Sequence, residues 1–307
     1  MQYYVKNEIK ASESRHLLCD SEAFCAMMKK NESEDTRMTI TYIHHSGYLL
    51  ETDQALLLFD FVEGTLPSLD PEKDLFVFVS HRHGDHFSPK IFDMAASHPR
   101  IRFILSDDIW QNKVPYQLHG LAWFMDPGKV LEFKEGGGLR VTAFKSTDEG
   151  VAFMVETGIP SASPASHSAT VQTDESCCEA FTIYHAGDLN NWRWNGEPLA
   201  WNNNMSTNYH RELDKIKSAG FHPDVAMVPL DGRQEYLFYL GLDDFMKTVG
   251  AKMVFPMHFW EDFSVIPALK KLDCSAEYRD RVADLEYGGQ SFEYPECLTG
   301  TADGDLV

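Results

Sequence analysis

Residues 80–89 read SHRHGDHFSP and set His81, His83, Asp85 and His86 within six positions. Neither a packed core nor a solvated face asks for imidazoles and carboxylates at this density, whereas a metal ion does. The run follows directly on DLFVFVS, which is apolar without alternation, the pattern of a strand covered on both faces. His81 and His83 lie two apart at the end of that strand, so an extended backbone points both side chains the same way. Gly84 then turns the chain and carries Asp85 and His86 towards a second position beside the first. Ser88 suits an N-cap and Pro89 a first helical position, so KIFDMAAS is expected as a helix. A cluster at the carboxyl end of a strand lies where open α/β sheets place their ligands.

Upstream, MTITYI, GYLLET and ALLLFDF are short apolar runs divided by HHS and TDQ, a meander of strands. Downstream, IRFIL, KVLEFK, GLRVTAFKS, GVAFMVE, AFTIYH, DVAMVPL and KMVFPMH read as further strands. Helices are expected over NYHRELDKIKSAG and LDDFMKTVG, closing on Gly220 and Gly250, and two more helical stretches in the tail from Ser264. Residues 1–37 are polar, with one helical patch near 22–29, and form an N-terminal extension to a domain spanning 38–307. A Ser-, Thr-, Ala- and Pro-rich stretch at about 158–179 reads as a flexible hairpin insertion, because strands on both sides of it continue one sheet.

With 47 acidic against 27 basic residues and a formal charge of −20, most of the surface would repel a polyanion. A nucleic-acid partner is therefore disfavoured. The start, MQYYVKNEIK, lacks the apolar core of a signal peptide, and no run approaches the length of a membrane span. A cytoplasmic location without membrane association is expected. Six cysteines without C-x-x-C spacing read as free thiols.

The motif S-H-R-H-G-D-H resembles the H-x-H-x-D-H signature of the metallo-β-lactamase-fold hydrolases, and the resemblance runs from about Met38 to Trp260. It implies a four-layer αββα sandwich of the α/β class holding one or two metal ions. It also implies that Asp188, in YHAGDLN, bridges the two ions, that His258, in VFPMHF, is the last histidine ligand, and that Asp60 steadies the histidines from behind. The chain departs from the family at one place. The third histidine, usual between the first motif and the bridging aspartate, is missing, and KSTDEGVAFMVE stands there instead. Asp148 is the residue best placed to substitute. The first site would then be His81, His83 and Asp148, and the second Asp85, His86 and His258, with Asp188 shared.

More oxygen donors move the preference from zinc towards manganese, with iron also admitted. If Asp148 does not ligate, a single ion is expected in the second site. The resemblance implies a metal-bound hydroxide attacking an ester, lactone or phosphodiester of a small molecule, with Asp85 serving proton transfer. A metal-holding binding protein with little turnover and a nuclease of the same fold are the alternatives. Close to Asp188, Trp192 and Arg193 are candidate contacts for the ring and the anionic group of a substrate. His45 resembles a histidine near the site in the lactonase-like branch, while His44 would point the other way. The sequence does not define the oligomeric state.

Overall fold

The computed structural model describes residues 37–160 and 180–298. The N-terminal extension, most of the expected hairpin insertion and Cys19, Cys25, Cys177 and Cys178 lie outside these residues. Of the cysteines within them, Cys274 and Cys297 are free thiols.

The apolar runs become two sheets. The first has the order β13-β1-β2-β3-β4-β5-β6, and its strands are β1 (Met38–His44), β2 (Gly47–Glu51), β3 (Ala55–Phe59), β4 (Asp74–Val79), β5 (Ile101–Ser106), β6 (Ala122–Met125) and β13 (Ser291–Tyr294). The second has the order β12-β11-β10-β9-β8-β7, with β7 (Val130–Phe133), β8 (Leu139–Lys145), β9 (Val151–Thr157), β10 (Thr182–His185), β11 (Val225–Pro229) and β12 (Met253–Met257). β4 shows why its run is continuously apolar. Phe76 and Phe78 enter the core between the sheets, while Leu75, Val77 and Val79 face outward into a second core. β3 divides its residues in the same way, with Leu57 and Phe59 inward and Leu56 and Leu58 outward.

Against the outer face of the second sheet lie α1 (Leu199–Ser218) and α2 (Leu240–Thr248), joined in the same core by α3 (Val265–Lys270). Tyr184 of β10 stacks on Phe245 of α2 at 5.0 Å, and Tyr209 of α1 donates its hydroxyl to the carbonyl of Gly241. The outer face of the first sheet is covered differently from expectation. The segment KIFDMAAS is a 3-10 helix, Pro89–Ala96, and the Ser88 side chain makes no capping bond. The tighter turns still set Ile91 and Phe92 onto the sheet. The layers are thus helical segment, sheet, sheet, helix, the αββα arrangement of the metallo-β-lactamase fold.

The tail differs as well. Beyond α3 it forms short 3-10 turns and then β13, which pairs antiparallel with Met38–Thr41 and covers the edge of β1. Among the described residues no helix is long and apolar enough to cross a membrane.

Candidate metal centre

The site is assembled at one end of the two sheets. β3 and β4 pair in parallel, as do β10, β11 and β12, so their carboxyl ends fall together. Asp60 follows β3, the 81–86 run follows β4, Asp188 follows β10, Asp231 follows β11 and His258 follows β12. Two turns complete the ring, with His45 between β1 and β2 and Asp148 between β8 and β9. His45, Asp60 and His258 all have left-handed backbone, with φ of 51°, 41° and 64°. Each costs on the order of 1–3 kcal/mol, and such strain gathers where the surroundings fix a side chain for function.

His81, His86 and His258 are each held by one nitrogen and leave the other free. His81 Nδ1 lies 3.0 Å from Ser80 Oγ, and His86 Nδ1 lies 2.7 Å from Asp60 Oδ2. Asp60 also accepts from the Ser80 amide and hydroxyl, so one buried carboxylate orients the whole motif. His258 Nδ1 is 3.0 Å from Asp231 Oδ2. The opposite nitrogens converge on Asp188: His81 Nε2 at 3.4 Å, His86 Nε2 at 3.1 Å and His258 Nε2 at 3.3 Å. These three Nε2 atoms and Asp188 Oδ1 are buried without a hydrogen-bond partner among the described residues. Buried polar atoms rarely remain unpaired, and fixing one imidazole nitrogen to aim the other is how proteins prepare histidine for a metal.

The donor atoms fall into overlapping groups. One contains His81, His86 and Asp188, another His83, Asp148 and Asp188, and a third His81, His83 and Asp85. A fourth joins His45 to Asp85, His86 and His258. His45, expected near substrate, is therefore placed among candidate donors; it is buried, neither ring nitrogen has a hydrogen-bond partner, and Nε2 lies 3.5 Å from Asp85 Oδ2. His44 turns away to Glu63 and Glu261. Asp148 Oδ2 is 3.9 Å from His83 Nδ1, which puts the carboxylate beside the histidine that lacks its usual partner. Glu149 also approaches His83, at 3.4 Å from Nε2, while pairing with Arg82. His185 stays structural: Nε2 donates to the Ser46 carbonyl, Nδ1 accepts from the Gly187 amide, and the ring stacks on Phe59.

The electrostatics suit a cation. Burial alone would raise the pKa of Asp188, but His86, His258 and His81 around it hold it well below the carboxylate range. Burial also opposes charge on His86, yet Asp188 and Asp60 outweigh it and raise its pKa well above the ordinary value. Burial pushes His81 down to about 4, leaving it neutral. Asp148 is raised, first by burial and then by the charge of Asp188 facing it. A cation between Asp148 and Asp188 would offset that repulsion.

A cavity of about 280 Å³ opens over these groups. Its lining combines the polar groups of His83, Asp85, Asp148 and Arg233 with the apolar surfaces of Trp194, Trp201 and Met205. The two residues expected to contact substrate are placed differently from each other. Arg193 is absent from this cavity and lines a separate depression along α1 with Ser206 and His210. Trp192 borders the cavity but is buried, its indole N–H donating to the Asp188 carbonyl at 2.8 Å, so it fixes the aspartate loop. Trp194, stacked on Trp192 at 5.9 Å, and Trp201 offer the more open faces. The sequence reading missed Asp231 and Ser80, although both stand, like the ligands, at the end of an apolar run.

Comparison with known proteins returns no matching family model. A relative from Methanoregula boonei described as a UPF0173 metal-dependent hydrolase is 25% identical over 231 residues, covering 73% of this chain and 84% of its own. Among solved structures, Igni18, a metallo hydrolase from Ignicoccus hospitalis, superposes with a TM-score of 0.57 at 16% identity, over 84% of this chain and 99% of its own. CmlA, a diiron β-hydroxylase from Streptomyces venezuelae, gives a TM-score of 0.51 at 10% identity, over 85% of this chain and 55% of its own.

Proposed function

We propose that this chain, which has the metallo-β-lactamase fold, is a metal-dependent hydrolase of small-molecule esters, lactones or phosphodiesters. The observation that carries the reading is the convergence of unpartnered, buried Nε2 atoms of His81, His86 and His258 on the Asp188 carboxylate, whose Oδ1 is itself unpartnered among the described residues. Two divalent ions, zinc or manganese, are proposed, one held by His81, His83 and Asp148 and one by Asp85, His86 and His258, with Asp188 common to both. His45 is close enough to the second group to add a donor.

Ions bound there supply Lewis acidity and bring the pKa of water from near 16 to about 7. The remaining work falls to the chain. Asp85 faces the cavity, and burial would raise its pKa, but the imidazoles of His45, His86 and His258 around it hold it below the carboxylate range. It therefore enters the reaction ionised, takes the proton of the attacking water and passes it to the leaving group. Trp192 and Ser80 keep Asp188 and the histidines in register. The cavity suits a compact substrate, and the charge of −20 favours a small molecule over nucleic acid.

His86→Ala and Asp188→Ala are each expected to lose bound metal, measured by elemental analysis, together with turnover on an ester, lactone and phosphodiester panel. Full activity in either variant would sink the scheme. A stoichiometric metal without turnover on any class would favour a ligand-binding protein instead.

A further inference from the structure

The geometry points to Arg233 as the residue that selects an anionic substrate, one bearing a carboxylate within a few bonds of the scissile carbonyl; this rests on the hydrolase reading above. Among the described residues lining the cavity, Arg233 is the one with a permanent positive charge, and it stands against Asp85, Asp148 and Asp188. Its guanidinium is not a loose surface group. Nε bonds both oxygens of Asp231 at 3.0 Å, and Nη2 bonds Asp231 Oδ2. Asp231 is itself 1% exposed, so the anchor is rigid. The guanidinium carbon lies 5.3 Å from the centre of the Trp260 ring, which fixes the plane of the fork.

One edge of the guanidinium, Nε with Nη2, is thus engaged by Asp231 and the other is left. Nη1 has no acceptor among the described residues, and the side chain, which lines the cavity, is 53% exposed. A preorganised arginine with a free edge is suited to a planar carboxylate, which it meets with two parallel hydrogen bonds. Its neighbours set the distance. Nη2 lies 3.5 Å from His258 Nδ1, so one imidazole ring separates the guanidinium from the nitrogen aimed at Asp188. An anion held at Arg233 is therefore close to the reacting centre. The wall of Trp194, Trp201 and Met205 then receives the apolar body of the molecule. The charge balance agrees: three carboxylates against one guanidinium repel an anion, and two divalent ions reverse the sign.

The test compares matched pairs on the full chain loaded with zinc or manganese. One pair is γ-butyrolactone-γ-carboxylate and its carboxamide, and the other is 4-nitrophenyl glutarate monoester and 4-nitrophenyl pentanoate. The wild type should prefer the anionic member of each pair by roughly ten- to a hundredfold in kcat/KM, as a charge-assisted hydrogen bond allows. Arg233→Gln should bring that preference close to unity, mainly through KM, and Arg233→Lys should keep part of it. The preference is a ratio within each protein, so a fall in metal occupancy or in overall rate does not imitate the effect. A wild type indifferent to charge, or an Arg233→Gln variant with undiminished preference, overturns the inference. If neither pair is hydrolysed and the phosphodiester panel is also inert, the hydrolase reading fails on its own. Calorimetric titration of the lactone carboxylate and carboxamide then makes the same comparison by affinity: equal binding of the two overturns the inference, and a preference lost in Arg233→Gln upholds it.

Discussion

At Asp148 the chain presents a carboxylate where the resembling family presents an imidazole, and the side chain lies 3.9 Å from His83 Nδ1. An oxygen donor hardens that half of the site, so Asp148→His is expected to move metal preference towards zinc and Asp148→Ala to lower the bound metal from two ions towards one. Competition dialysis against zinc and manganese, followed by elemental analysis, reads both; unchanged content in both variants contradicts the assignment. Asp231 acts one step back from the metal. Removing its hold on His258 Nδ1 leaves the ligand present but unaimed, so Asp231→Ala should weaken metal affinity by roughly 10- to 100-fold. Wild-type affinity in that variant would show that His258 is aimed by other means. His81, Asp188 and His258 were legible in the sequence because each closes an apolar run. Asp231 closes one too, but a carboxylate at a strand end is so often only a turn residue that its role was hidden until its neighbour was seen. Trp192 and Arg193 part company although adjacent: the Arg193 amide bonds back to the Asn191 carbonyl at 2.7 Å, so the chain turns there, with Trp192 buried and Arg193 lining a separate depression.

Strands deliver these residues, and the turns between strands determine how closely they approach. Gly150, with φ of 68°, opens β9 directly over the metal motif, where the Val151 amide donates to the Ser80 carbonyl at 2.9 Å. A Cβ at Gly150 would stand 2.1 Å from that carbonyl oxygen and 2.6 Å from His81 Cβ. Backbone strain and overpacking add there, so Gly150→Ala is expected to cost roughly 2–4 kcal/mol in urea unfolding and to reduce bound metal. Gly120→Ala, where a Cβ meets nothing within 4 Å, is the control and should change stability by about 1 kcal/mol or less. Equal effects at both positions would remove the close approach from the account. The elements themselves were readable wherever a run was long or capped, as in β4 and α2. The edge strands β6 and β13 were not; four residues carry little periodicity, and the partner of β13 is β1, at the other end of the described sequence. The 3-10 character of Pro89–Ala96 was hidden as well, since the same apolar spacing serves either helix.

Across the whole molecule, an excess of acidic residues meets a site whose carboxylates repel one another. Metal binding should therefore stabilise the fold by mass action, by about 2.7 kcal/mol with free ion at a hundred times Kd. Treatment with a chelator is expected to lower Tm by several degrees, and restoring zinc or manganese to recover it; an unchanged Tm contradicts a metal placed in the folded core of the site. The architecture explains why so much rests on one end of the sandwich. Parallel strands from both sheets end there, and the two cores behind them fix the strands but leave their carboxyl ends free to carry chemistry. The central claim is that the two halves of the chain close on a pair of ions. Anomalous diffraction from crystals grown with manganese tests it most directly. The account predicts two peaks, one touching His81, His83 and Asp148 and one touching Asp85, His86 and His258, with Asp188 reaching both. The absence of any peak among these residues in manganese-saturated crystals would contradict it.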